Sequence, residues 1–221
     1  MSCMNEYSKN LAEKYTKFRD QFKDADMNLL EFVRRVGIEQ KDVLDLGCGD
    51  GRYAAMFLEM RVRSARGIDI SPAMIELAKK RSIDADFVVG DCSELPFNDE
   101  SFDLVFSNFV LQHCQRLTTV FAEIARTLKQ GGSFVGSFNS VETDNLEILN
   151  HEMPILLGKQ DSVTVYDLMK LDEEYLSAIE RSELKIIEYV DEPNNCAFID
   201  PKFEYYSDIR RLKTIVCLLR K

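Results

Sequence analysis

The stretch Val43–Tyr53, VLDLGCGDGRY, constrains the fold more than any other part of the chain. A short aliphatic run passes into Gly47-Cys48-Gly49-Asp50-Gly51 and then into a helical pattern. Glycines there let the backbone turn sharply and approach a ligand closely, beside the free N–H groups of a helix N-terminus. The segment reads as a strand, a ligand-binding turn and a helix. A nicotinamide or flavin fingerprint needs G-x-G-x-x-G, but the residue three after Gly49 is Arg52 and the spacing is G-x-G-x-G. That demotes a dinucleotide.

Downstream, strands alternate with helices: Val43–Leu46 strand, Tyr53–Met60 helix, Ala65–Ile70 strand, Pro72–Arg81 helix, Phe87–Val89 strand, Phe102–Ser107 strand, Thr118–Lys129 helix, Ser133–Phe138 strand. The alternation implies βαβ units and a parallel sheet. Ser71 is a good N-cap with Pro72 at the first helical position, and Gly131-Gly132 is expected to stop the helix that ends near Lys129. Upstream, Leu11, Tyr15, Phe18 and Phe22 form one amphipathic stripe and Leu30, Val33 and Val36 another, so two helices precede the first strand. After Asn139 the alternation lapses for about thirty residues, a length that compact folds use for function, such as a lid. A helix at Asp172–Arg181 and strands at Lys185–Val190 and Thr214–Leu219 close the chain, the last two as an antiparallel pair at the sheet edge. With no repeat, low-complexity run or linker, residues 1–221 read as one domain, with 1–40 as N-terminal helices and 139–171 as an insertion.

Two carboxylates follow strands. Asp69 ends the second strand, 22 residues after Gly47. In an open parallel sheet the carboxyl ends of neighbouring strands face one crevice, so Asp69 can accept from a ribose whose other end lies on the glycine turn. Asp91, in Gly90-Asp91-Cys92, is placed to accept from the exocyclic amine of a base, or to serve as a turn residue or helix cap. The pattern points to a nucleoside.

Charge narrows the partners. The chain carries 28 basic and 38 acidic residues, a net charge of −10, which opposes broad attraction to a phosphate backbone and so a nucleic-acid partner. Lys79-Lys80-Arg81 reads as a solvated helix end that complements the helix dipole. The cysteines, Cys3, Cys48, Cys92, Cys114, Cys196 and Cys217, include no CxxC pair, so they read as reduced packing thiols rather than zinc ligands. Apolar runs such as Tyr53–Leu58 and Ile215–Leu219 fall far short of the roughly 18 residues of a membrane span, and residues 1–25 are too charged for a signal peptide. The expectation is a soluble, cytoplasmic protein.

Taken in order, VLDLGCGDG, GIDISPAMIELAK at Gly67–Lys79, GDCSELPF at Gly90–Phe97, FDLVFSNFVLQH at Phe102–His113 and LKQGGSF at Leu128–Phe134 resemble the class I S-adenosylmethionine-dependent methyltransferases, in particular the type 11, small-molecule group. The resemblance implies an α/β, Rossmann-like, seven-stranded sheet of order 3-2-1-4-5-7-6, with the last strand antiparallel and helices on both faces. It implies S-adenosylmethionine as cofactor. It assigns Gly47, Cys48 and Gly49 to the methionine and ribose portions, Asp69 to the ribose hydroxyls, and Ile70 and Met74 to the adenine flank. It also gives Asp91 and Cys92 the adenine edge and sets Asn108, Phe109 and Val110 near the sulfonium. Tyr15 resembles an N-terminal tyrosine that closes over the cofactor, with a plain core role for the same stripe left open. Asp45 is placed to steer the methionine ammonium indirectly, or to satisfy local backbone donors.

Methyl transfer from a sulfonium is an in-line displacement, in which alignment alone is worth up to about 7–11 kcal/mol, so a base is optional. For a protic acceptor the candidate base is His113, five residues beyond Asn108, with helix capping or pocket shaping as its other reading. Segment 139–171, with Glu142, Asp144, His151, Glu152 and Tyr166, is expected to cover the acceptor site, and Phe203-Glu204-Tyr205-Tyr206 is placed either to wall it or to pack under the last strand. Where related enzymes that methylate amines of bases or glutamine carry an Asn-Pro-Pro-Tyr type sequence, Ser107-Asn108-Phe109-Val110 stands instead. The expected partner is a small organic acceptor. The competing reading is a non-catalytic module that binds the same cofactor and regulates a partner.

Overall fold

Consecutive residues of an extended strand point to opposite faces, and in this chain both faces are apolar, so the central strands demand cover on both sides. Leu44, Leu46 and Val105 enter one core; their neighbours Val43, Leu104 and Phe106 enter a second. The computed structural model describes residues 7–21, 27–144, 146–149, 152–157, 163–192, 197–199 and 209–221. Its elements run α1 Lys9–Gln21, α2 Met27–Val36, β1 Asp42–Leu46, α3 Arg52–Glu59, β2 Ser64–Asp69, α4 Pro72–Arg81, β3 Asp86–Val89 and β4 Phe102–Asn108. They continue with a 3₁₀ turn Leu111–His113, α5 Leu117–Thr127, β5 Leu128–Thr143, a second 3₁₀ turn Leu146–Ile148, β6 Glu152–Leu157, β7 Val163–Leu168, α6 Asp172–Glu180, β8 Lys185–Glu192, β9 Ala197–Ile199 and β10 Ile209–Arg220.

The main sheet has seven strands in the order β3-β2-β1-β4-β5-β10-β8. β1, β2, β3, β4 and β5 pair in parallel, and β10 is antiparallel to both β5 and β8. Counting only these strands, the order is the expected 3-2-1-4-5-7-6. On one face lie α5 and α6, whose Val120, Phe121, Ile124, Tyr175 and Ile179 join the first core. There Tyr175 stacks on Phe138 with ring centroids 4.0 Å apart. On the other face lie α2, α3 and α4 through Phe32, Val33, Phe57, Ile75 and Ala78. α4 begins as its sequence dictates: Ser71 is extended, its Oγ accepts from Met74 N at 3.3 Å, and Pro72 follows at the first position. Such a cap contributes about 1 kcal/mol.

Two expectations are corrected. Gly131-Gly132 does not stop a helix near Lys129: α5 ends at Thr127 and the chain enters β5 at once. Leu128, fully buried, pairs with Phe102, and the register then jumps to Ser133 opposite Leu104, so Lys129–Gly132 bulges out of the strand. Gly131, at φ 75°, takes the left-handed conformation that the bulge requires. The second correction lies after Asn139. β5 continues to Thr143 because β10 pairs with it from Ser133 to Thr143, and β6 and β7 join β9 in a separate antiparallel sheet of order β7-β6-β9. The alternation of strand and helix lapses here in favour of strands. His151 and the 203–206 cluster lie outside the described residues.

Candidate functional site

The strand order reverses between β1 and β4, where neighbouring connections leave on opposite sides and open a crevice at the carboxyl ends. A cleft lies there. Its floor is the glycine turn. Gly47 and Gly49 have φ of 71° and 52°, a region that disfavours side chains. A Cβ on Gly47 would stand 2.1 Å from Val110 Cγ2, whereas one on Gly49 would meet nothing within 4 Å. The first glycine is demanded by packing, the second by backbone conformation, and Gly49 leaves its side open toward the cleft.

The turn is tied to β2. Gly47 N and Cys48 N both donate to Ile68 O, at 2.8 and 2.9 Å. Asp69 accepts from Gly49 N through Oδ2 and from Ser71 N through Oδ1, both at 2.9 Å. Its carboxylate therefore joins the glycine turn to the start of α4 while lining the cleft. Tyr15, Gly47, Gly49, Asp69, Ile70, Met74, Cys92, Asn108, Phe109, Val110 and His113 also line it. Sequence reasoning missed Tyr7, Ile68 and Gly90. Tyr7 and Tyr15 meet edge to face at 5.3 Å, and the Tyr7 carbonyl accepts from Ser71 Oγ at 3.0 Å, which seats the start of α1 on the cleft.

Asp91 and Cys48 lie beside the main cleft rather than in its lining. Asp91 Oδ1 accepts from Ser93 N at 2.9 Å, as a turn residue does. Cys48 turns its thiol into the second core, and burial pushes that thiol well above its usual range. A chamber that continues the cleft touches Cys48.

Charged side chains gather around that chamber: Arg19, Asp45, Asp50 and Arg52 are among the residues that line it. Asp45 lines it, though the side chain is only 2% exposed. Burial pushes its carboxyl up to about 8; an N–H bond from Ala54, at the start of α3, works against that, and Asp69 and Asp50 add to it. Its Oδ2 has no hydrogen-bond partner among the described residues. Across the chamber, Arg19 Nη2 donates to Tyr53 Oη at 3.2 Å, and its guanidinium lies over the Phe109 ring at 5.8 Å. Asn108 Nδ2 donates to the same Tyr53 oxygen at 2.7 Å, and Ser137 Oγ donates to Asn108 Oδ1 at 2.5 Å. Arg52, the residue that breaks the dinucleotide spacing, pairs with Asp20 and so ties α3 to α1.

Phe109 has φ 56°, an uncommon conformation for a bulky residue, and its N–H donates to Ser137 O at 3.0 Å. Backbone held in this region costs about 1–3 kcal/mol and clusters at functional sites. The sequence carried no signal for it. At the far side of the cleft His113 Nδ1 stands 3.2 Å from Oδ1 of Asp167, a buried carboxylate of β7. Next to it, Cys92 Sγ and Cys114 Sγ lie 3.3 Å apart as free thiols. Among the described residues no group of three His, Cys, Asp or Glu is placed to hold a metal ion, and no helix is long and apolar enough to cross a membrane.

Residues 44–136 match the family described as "Methyltransferase domain". The malonyl-[acyl-carrier protein] O-methyltransferase of Methylococcus capsulatus is 33% identical over 114 residues, 50% of this chain and 42% of that protein. The phthiotriol/phenolphthiotriol dimycocerosates methyltransferase of Mycobacterium tuberculosis is 39% identical over 120 residues, 52% of this chain and 44% of that protein. The matches thus span less than half the length of these curated relatives. Among solved structures, the [4+2]-cyclase SpnF superposes with a TM-score of 0.70 at 19% identity, covering 89% of this chain and 81% of that one. That likeness speaks to fold alone.

Proposed function

We propose that the chain, whose residues 44–136 match the methyltransferase-domain family, is a class I methyltransferase that transfers a methyl group from S-adenosylmethionine to an O, N or C nucleophile of a small organic molecule. One observation carries the cofactor assignment. The cleft continues into a chamber lined by both Asp45, a buried carboxylate whose Oδ2 has no hydrogen-bond partner among the described residues, and the Arg19 guanidinium. A ligand with an apolar, flat body and a zwitterionic tail matches that arrangement. Asp45 would receive the ammonium of the methionine moiety and Arg19 its carboxylate. Asp69 would accept from the ribose hydroxyls while holding the glycine turn, and Ile70, Met74 and Cys92 would flank the adenine.

The bound cofactor supplies an electrophilic methyl on a sulfonium. The protein's part is to orient and to exclude water. Tyr7 and Tyr15 would close one side of the cleft, and Asn108, fixed between Ser137 and Tyr53, would hold the wall where β4 ends. His113 would take the proton of a protic acceptor, a contribution of about 10²–10⁴-fold. The relatives' names include an O-methyltransferase, which supports an oxygen nucleophile without fixing the acceptor. The fold leaves the chemistry open, since SpnF is a cyclase on the same scaffold.

The experiment follows S-adenosylhomocysteine release over a panel of phenols, alcohols, carboxylic acids and amines. Sustained, acceptor-dependent release with any member is the expected result. Tight cofactor binding with no release across the panel would favour the non-catalytic module.

A further inference from the structure

Asp167 lies outside the methyltransferase match, 54 residues from His113, yet β7 packs on the 3₁₀ turn that carries this histidine. The carboxylate is 1% exposed. Its Oδ2 accepts from Asn139 Nδ2 at 2.8 Å. Its Oδ1 makes no hydrogen bond of good angle and stands 3.2 Å from His113 Nδ1, so the contact is close but bent. Catalytic hydrogen bonds are often misaligned before substrate binds and tighten afterwards. An ionised carboxylate offers about four acceptor sites, and burial makes each unmet one costly. Among the described residues Asn139 alone donates a hydrogen bond to the Asp167 carboxylate, which leaves the imidazole N–H as the partner that would meet this need.

The surroundings hold that arrangement in place. Asn139 is fixed by Tyr175 Oη, which donates to its carbonyl at 2.8 Å, and by Thr214 Oγ1, 3.4 Å from its Oδ1. Lys170, three residues after Asp167 and equally buried, donates to Gln112 O at 3.0 Å. The segment after β7 is thereby fastened to the residue that precedes His113. The strut runs from the sheet core through Asn139 and Asp167 to the imidazole edge.

We propose that Asp167 is a positioning residue that holds His113 in the Nδ1–H tautomer, so that Nε2 carries the lone pair offered to the acceptor. This rests on the methyltransferase reading of the cleft. It also favours an uncharged acceptor that loses a proton, such as a hydroxyl. A carboxylate acceptor is already anionic, needs no base and would be repelled by a buried Asp167. In the balanced step the acceptor O–H bond breaks and its proton passes to His113 Nε2, an oxygen electron pair forms the new O–C bond, and the C–S pair returns to sulphur. The imidazole ends as a cation beside the Asp167 anion.

The test reads the tautomer directly. The chain has two histidines, so long-range ¹H–¹⁵N spectra of labelled protein contain two ring systems, and His151→Gln assigns them. The expected wild-type spectrum shows His113 with Nδ1 protonated and Nε2 bare, and Asp167→Asn moves it to the Nε2–H form or a mixture. An Nε2–H His113 in the wild type overturns the proposal, even if Asp167→Asn fails to fold. An unchanged tautomer in a folded Asp167→Asn overturns it too. Calorimetric titration with S-adenosylhomocysteine separates the two readings: wild type and Asp167→Asn bind it equally if the cleft is as assigned. Absent binding in the wild type would defeat the methyltransferase reading, whatever tautomer is found.

Discussion

At the scale of single residues, Asp45 is the group whose chemistry is furthest from ordinary. Its carboxyl is pushed up to about 8, chiefly by burial, while the unfolded value stays near that of a free carboxylate. Between those two values the folded state binds more protons than the unfolded state, so stability falls as pH rises through this window and levels off above it. Thermal melts of the ligand-free protein from pH about 5 to about 8 should show the decline, and Asp45→Asn should flatten that part of it. The same group predicts proton release on cofactor binding, because an arriving ammonium favours the ionised carboxylate. At pH about 6.5, where an α-ammonium is already charged, titrations in two buffers of different ionisation enthalpy should show release in the wild type and none in Asp45→Asn. Equal enthalpies in both buffers for the wild type would contradict the assignment. Asp69 has a double duty. Hydrogen bonds to a charged group contribute about 1.5–3 kcal/mol, so Asp69→Ala should weaken S-adenosylhomocysteine binding by about one to two orders of magnitude. Because its carboxylate also holds Gly49 N and Ser71 N, the melting temperature should drop as well. Unchanged affinity in a folded variant would remove Asp69 from the site. Asp45 and Asp69 were legible because they sit on β1 and β2 beside the glycine turn. Asp167 was not, since nothing in its neighbourhood in the sequence marks a residue that reaches His113 from a second sheet.

At the scale of elements, legibility followed periodicity. α4 was read to the residue because Ser71 and Pro72 punctuate its start. β5 was read short at both ends, because its start at Leu128 is set by pairing with Phe102 of β4 and its far end by pairing with β10, a strand more than sixty residues away in the chain. β6 and β7 were missed for the same reason: a small antiparallel sheet over a cleft depends on distant partners more than on its own pattern. The edge of the sheet opposite the cleft gives an element-scale prediction. Lys129, in the bulge of β5, places Nζ 2.8 Å from Asp42 of β1 and 2.9 Å from Asp103 of β4. Burial pushes both carboxyls up, but the hydrogen bonds and charge of Lys129 outweigh it and hold both below the usual range. Depressed carboxylates stabilise above the unfolded pKa and lose that contribution as pH falls through the folded one. Lys129→Met should therefore cost about 1 kcal/mol at neutral pH, discounted for partial exposure, or about 2–4 °C in melting temperature. The gap between variant and wild type should close toward pH about 3. A gap that is constant with pH would assign the loss to packing instead.

At the scale of the whole molecule, the sheet brings a glycine turn, a strand-end carboxylate, a second, buried carboxylate and an aromatic cover into one cleft and its adjoining chamber. The central claim is that this cleft is a site for S-adenosylmethionine. A ligand that binds only the folded state adds about 2.7 kcal/mol of stability at 100 times its dissociation constant, worth several degrees for a chain of this size. The most direct measurement is a thermal-shift titration with S-adenosylmethionine, S-adenosylhomocysteine and NAD. The account predicts a saturable rise of several degrees with each sulphur nucleoside and none with NAD. No rise with either sulphur nucleoside, or an equal rise with NAD, would contradict it.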